Sequence, residues 1–262
     1  MKIIVTPPTI HYVLVDYDNL VKNTNMRVES LYTILSHIVS SLAADSDFFS
    51  GCSLMQRISI RLYGGWFIDR MPTHLAQSLI RTISSCRGFN IVSVGVGLKV
   101  RLDVELAYGL LSLGKYSFYG TLRKYQPKFV VRDILSRRSC DVENVLHSSL
   151  TRFFEDGRCA GCERDLRPDI YIESQKLVDT MMACDLQWLT GRDSVSTGGV
   201  VPKKVAVVTS DNDLIPPIYQ QSLSSDTVYH VLTKGDENYC FANFYSALRP
   251  KNYKCIPLKI GE

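Results

Sequence analysis

Two places in this chain take a block of apolar residues straight into aspartates: YVLVDYDNL at 12–20 and VAVVTSDNDLIPPI at 205–218. The blocks themselves, residues 13–15 and 205–208, are continuous, with no polar alternation. Strands of that kind are buried on both faces, as in a parallel sheet covered by helices on each side. RISIRLYGG (57–65), NIVSVGVG (90–97), DIYIES (169–174) and TVYHVLT (227–233) are further strand signals. Between them, apolar residues recur at helical spacing over 26–43, 72–85, 173–190 and 238–248. This succession predicts an α/β fold. Right-handed crossovers would wind the strands into a mainly parallel central sheet with helices on both faces.

The 262 residues suit one domain, 1–262, and 45% hydrophobic against 21% charged residues supply a real core. Two stretches interrupt the rhythm. Residues 98–168 are basic, aromatic and cysteine-bearing, and are expected to be an insertion or elaboration on the core. TGRDSVSTGGVVPKK (190–204) is expected to be a flexible loop. The net charge of +4 neither demands nor opposes a polyanionic partner. No apolar run approaches the roughly 18 residues of a membrane span, so no membrane partner is expected. The double proline in MKIIVTPPTI breaks what a signal peptide would need, and eight scattered cysteines fit reduced thiols. The expectation is a cytoplasmic protein.

In an open parallel sheet, ligands bind beyond the carboxyl ends of the strands, at the switch in strand order. Asp16 follows the first strand, and Asp211 and Asp213 follow the late one. If those strands are neighbours, their carboxylates converge. Packed like charges persist when a cation neutralises them, and an all-oxygen set favours Mg²⁺ or Mn²⁺. ESQKLVDTMMACDLQWLT (173–190) adds Asp179, with Lys176 three residues earlier on the same helical face and Asp185 six residues later. Plainer roles compete. Asp213 could cap a helix, Asp18 and Asn19 could form an Asx turn, and the Asp45–Asp47 pair is best read as a turn.

With these residues in view, the chain resembles the NYN domains, PIN-like ribonucleases that include LabA-like proteins. VLVDYDNL is similar to their opening strand, with an aspartate directly after it and an asparagine three residues on. QKLVDTMMACDLQWL is similar to their lysine–x–valine–aspartate helix, and VVTSDNDLIPPI to their final strand, turn and helix. The three segments stand in the expected order and span most of the chain. The resemblance implies a PIN-like three-layer fold and an acidic Mg²⁺ or Mn²⁺ site made of Asp16, Asp179, Asp211 and Asp213. Asn19, Asp185, Lys176 and Ser210 would support it. It also implies hydrolysis of RNA phosphodiesters, with RNA as partner and room for a protein partner or homo-oligomer. The alternatives are an RNA- or protein-binding module with a nuclease-like fold, a DNA nuclease, or a phosphatase. No serine or cysteine triad is apparent, and GVGLKV (95–100) lacks the third glycine of a dinucleotide fingerprint.

Residues 115–138 hold seven basic side chains against one acid, with five aromatics interleaved. Arg123, Lys124, Lys128, Arg132, Arg137 and Arg138 are candidate nucleic-acid contacts, since cations follow a phosphate backbone while rings stack on bases. A solvated basic face over core aromatics explains the same pattern. Cys159 and Cys162 form a Cys-x-x-Cys knuckle that Cys140 and His147 could complete as a structural zinc site; two reduced thiols without metal are the alternative. His11, His37, His74 and His230 show no partner pattern and are expected to be structural or surface residues.

Overall fold

The computed structural model describes residues 10–24, 28–49, 55–85, 91–94, 97–114, 116–125, 157–158, 172–175, 177–191, 204–223, 227–233 and 252–258. The chain divides into two compact units, residues 1–121 with 175–262, and residues 122–174.

The larger unit is built on β1 (Ile10–Asp16), β2 (Met55–Tyr63), β5 (Ile91–Val94), β6 (Leu98–Leu106), β9 (Val205–Val208), β10 (Val228–Leu232) and β11 (Tyr253–Pro257). Among the described residues these form one sheet in the order β11-β10-β9-β1-β2-β6-β5. All neighbours are parallel except β5 and β6. A short antiparallel hairpin, β3 (Phe67–Ile68) with β4 (Met71–Pro72), follows β2. The continuous apolar runs behave as their pattern requires: every residue of β9 and β10 is buried.

Helices cover both faces. On one face lie α1 (Tyr17–Thr24), α2 (Leu31–Ala43) and α3 (His74–Ser85), packed with Val13, Val15, Ile58, Ile60, Ala206 and Val208. On the other, α4 (Val178–Thr190) and α5 (Ile215–Ser222) pack with Leu14, Tyr63, Val205 and Val207. The two helices α2 and α4 bury the same phase. Leu31, Ile34, Leu35, Ile38, Val39 and Leu42 have their counterparts in Val178, Met181, Met182, Asp185, Leu186 and Leu189. That is the i, i+3, i+4, i+7 stripe of a core-facing helix. Asp185 therefore occupies a core position.

Several expectations are revised. Residues 98–106, expected to begin the insertion, are strand β6. Their alternation of Val100, Leu102 and Leu106 with Lys99, Arg101 and Glu105 is the mark of a half-buried strand. The separate unit spans 122–174, and its described part includes β7 (Leu122–Tyr125), paired with β8 (Ile172–Gln175). The helix expected over 173–190 starts at Val178, because Leu177 adopts a left-handed φ of 68°. Lys176, expected to share a helical face with Asp179, lies outside the described residues, as does the helix expected at 238–248. Residues 192–203 of the 190–204 loop lie outside them too. Among the described residues, no helix is long and apolar enough to cross a membrane.

Candidate metal centre

β1 is the first strand of the sheet, and its neighbours are β2 on one side and β9 on the other. The order reverses between β1 and β9, so the carboxyl ends of these two strands define the switch point. Val15 pairs with Val208, which sets Asp16 beside Thr209 at the strand ends. The acidic residues gather here.

Asp16 is buried, 4% exposed, and caps α1: its Oδ1 accepts the Asn19 N–H at 3.1 Å. Its Oδ2 accepts the Thr209 hydroxyl at 2.9 Å. Each oxygen retains a second lone pair. The Asp211 N–H donates to the same Thr209 Oγ1 at 3.0 Å, and Asp211 Oδ1 accepts the Asp213 N–H at 2.9 Å. Asp211 is thus the N-cap of the 3-10 turn Asn212–Leu214 that leads into α5; the capping role considered for Asp213 belongs to Asp211. Asp179 stands in the first turn of α4, at the positive end of the helix dipole. Carboxylate oxygens of Asp16, Asp179 and Asp211 all lie within 4.8 Å of one another.

Asn19 and Ser210 tie the strand ends together. Asn19 Oδ1 accepts the Ser210 N–H at 3.0 Å and the Thr233 hydroxyl at 2.9 Å. Ser210 Oγ accepts the Thr233 N–H at 3.0 Å. The helix after β1, the turn after β9 and the end of β10 are therefore one hydrogen-bonded block. His230, expected to be a structural or surface residue, is structural and supports the block from beneath. It is fully buried, its Nε2 lies 3.0 Å from the Thr209 carbonyl and its Nδ1 3.0 Å from the Tyr253 hydroxyl. Burial pushes its pKa down to about 4. The ring is neutral, with the proton on Nε2 to meet the carbonyl. Sequence alone did not single out Thr209 or Thr233; a threonine directly after a buried strand, facing an aspartate after its neighbour, is the signal for the first.

Burial pushes the Asp16 carboxyl up to about 6, against the Asn19 and Thr209 hydrogen bonds, and the charges of Asp179 and Asp211 add to the rise. Asp179 is raised by burial and then by Asp211 and Asp213. Asp213 is exposed and sits at the rim, close enough to be felt by Asp179 without joining the three-carboxylate group. Asp18, within α1, accepts the Gly65 N–H at 3.3 Å and is raised by burial.

A pH dependence follows. The folded protein holds the Asp16 proton more tightly than an unfolded chain does, since its pKa is about 6 against 3.8. Without divalent ions, stability is expected to fall by up to about 3 kcal/mol as pH rises through that window, then to level off. Asp179 acts in the same sense. Thermal melts in EDTA across the window check this, and Asp16→Asn should flatten the slope. A wild-type slope that the variant retains would place the cause elsewhere.

Asp185 does not join the cluster. It is fully buried; its oxygens accept the Tyr63 hydroxyl at 2.6 Å and the Leu111 N–H at 2.7 Å, and it pairs with Arg61 Nε at 3.4 Å. Arg61 also donates to the Gly109 carbonyl and pairs with Glu105 at 3.3 Å. This network fastens α4 to β2, and so holds the helix that carries Asp179. Asp45 and Asp47 form the expected turn, with the Asp47 N–H on Asp45 Oδ1 at 2.9 Å, and both carboxylates hold Lys254.

Of the basic candidates, Arg123 is exposed on β7. The Lys124 side chain, Lys128, Arg132, Arg137 and Arg138 lie outside the described residues, as do Cys140, His147, Cys159 and Cys162.

Comparison with family models, with curated proteins and with solved structures finds no match for this chain.

Proposed function

We propose that this chain is a metal-dependent ribonuclease of PIN-like, NYN-type architecture. One observation carries the reading: three carboxylates from three separate segments, one of them buried, meet at the switch point of a parallel sheet. A buried carboxyl with neighbouring like charges is costly, and a divalent cation is the compensation that fits an all-oxygen donor set. Asp16, Asp179 and Asp211 would hold Mg²⁺ or Mn²⁺, with Asp213 at the rim. When bound, such an ion polarises a phosphate oxygen and lowers the pKa of a coordinated water.

The chain's own residues do the positioning. Thr209 fixes one oxygen of Asp16 and the backbone of Asp211 through a single hydroxyl, so the two carboxylates keep their spacing. The Asn19–Ser210–Thr233 block holds the strand ends in register. The strand order, with helices on both faces and the acids at the β1–β9 switch, supports the PIN-like assignment.

End-labelled single-stranded RNA and matched DNA, incubated with Mn²⁺, Mg²⁺ or EDTA, test the proposal. The expected result is metal-dependent cutting with RNA preferred. Salt-sensitive binding without cutting would make the chain a binding module, and preferential cutting of DNA would make it a DNA nuclease.

A further inference from the structure

The carboxyl edge that carries the acids continues past β2 into a group of aromatic rings. The chain leaves β2 through Gly64 and Gly65, and the Gly65 N–H is held by Asp18. Trp66 turns inward, its ring 5.7 Å from that of Tyr17. Phe67 follows two residues after Gly65, at most about 7 Å of chain away. Its ring centroid lies 5.1 Å from Tyr108 and 5.1 Å from Tyr119. Tyr108 stands just past the carboxyl end of β6. Tyr119 is 53% exposed and Tyr116 is 74% exposed.

These rings are held in place. The Phe118 N–H donates to the Tyr108 carbonyl at 2.6 Å, and the Phe67 N–H donates to Thr121 Oγ1 at 3.0 Å. Gly109 lets the 116–121 strap lie close: a Cβ there would stand 1.7 Å from the Tyr116 carbonyl oxygen. The strap is pinned at both ends, yet its two tyrosines face solvent. Aromatic rings on a pinned backbone are the form a base-stacking surface takes, because little ordering remains to be done on binding.

We propose that Phe67, Tyr116 and Tyr119 form a stacking platform for the bases of a single-stranded RNA segment whose phosphate lies at the Asp16 cluster. The proposal rests on the nuclease reading for the position of that phosphate. Stacking requires unpaired bases, so the substrate class is single-stranded or looped RNA, with duplex excluded from the platform. The continuity with the acidic centre along one sheet edge favours this occupant over a protein.

The test is fluorescence anisotropy with a short labelled RNA in the full-length Asp211→Asn background, which prevents cutting. The probes are the unpaired strand, the same strand annealed to its complement, and an abasic strand of equal length. Tyr119→Ala is expected to weaken binding of the unpaired strand about ten-fold and to leave the abasic strand unchanged. Tyr119→Phe should retain wild-type affinity, and Tyr116→Ala serves as a second truncation at the more exposed ring. Unchanged affinity in both alanine variants, or equal binding of duplex and unpaired strand, overturns the platform. So does a Tyr119→Ala protein that keeps RNA and loses a protein partner. Cutting by wild type with an indifferent Tyr119→Ala sinks the platform alone. Base-dependent binding lost in Tyr119→Ala, in a wild type that cuts nothing, upholds the platform and sinks the nuclease reading.

Discussion

An Asp211→Asn protein is expected to cleave RNA at least about 1,000-fold more slowly than wild type while folding no less stably. The two halves of that result have separate causes. On the proposed reading, activity falls because one of the three clustered carboxylates that would hold the metal becomes a neutral amide. Stability survives because the side chain's local task is to cap the Asn212–Leu214 turn through its Oδ1, and asparagine caps as well as aspartate. Asp211 also raises the pKa of both Asp16 and Asp179, so its neutralisation relieves repulsion in the metal-free protein. The melting temperature should hold or rise, and RNA binding should hold or tighten. Loss of activity together with loss of fold would point to a scaffolding role for Asp211 and contradict the account.

Asp185→Ala should do the reverse, costing about 3–5 kcal/mol of stability through a residue outside the acidic cluster. Asp185 is the buried partner of Arg61, which is itself buried, and it satisfies Tyr63 and the Leu111 N–H. Truncation leaves a buried guanidinium with only the exposed Glu105 as countercharge, and two donors without acceptors. Removing both charges together, in Arg61→Met with Asp185→Ala, should recover part of the loss, because a buried pair owes much of its apparent worth to the cost of orphaning one partner. Chemical denaturation of the four proteins gives the coupling directly. Near-additive losses would show that the pair does not act as a unit.

The two predictions separate residues that look alike in the sequence. Asp179 and Asp185 sit on the same helix, six apart, and either could have been assigned to the site. The family resemblance gives Asp185 a supporting place at the site, whereas the helical stripe puts it in the core. Counted from Val178, position 185 falls on the apolar stripe, at the phase where α2 carries Ile38. A charge at such a position needs a buried partner, and Arg61 in a buried strand supplies it.

The meeting of the carboxylates was legible for a simple reason. A continuous apolar strand that stops on an aspartate reports both burial and a strand end, and two such strands fix where their carboxylates must meet. What stayed hidden depends on pairing between distant segments. Thr209 and His230 matter through the register of β1, β9 and β10, which no local pattern encodes. The charges of β6 disguised a strand whose outward positions are solvated, and so moved the start of the insertion. The Phe67–Tyr119 contact joins residues far apart in the chain and could not be read from the spacing of either.

The most direct measurement is a calorimetric titration of the metal-free protein with Mn²⁺, near pH 6, for wild type and Asp179→Asn. Mn²⁺ prefers oxygen donors, so thiolate sites elsewhere contribute little. The account predicts saturable binding by wild type with release of protons, since the Asp16 carboxyl ionises at about 6 and must be deprotonated to hold the ion. It predicts at least about ten-fold weaker binding by Asp179→Asn, which loses one carboxylate ligand. No saturable binding by wild type, or equal binding by the two proteins, would contradict a metal centre built from Asp16, Asp179 and Asp211.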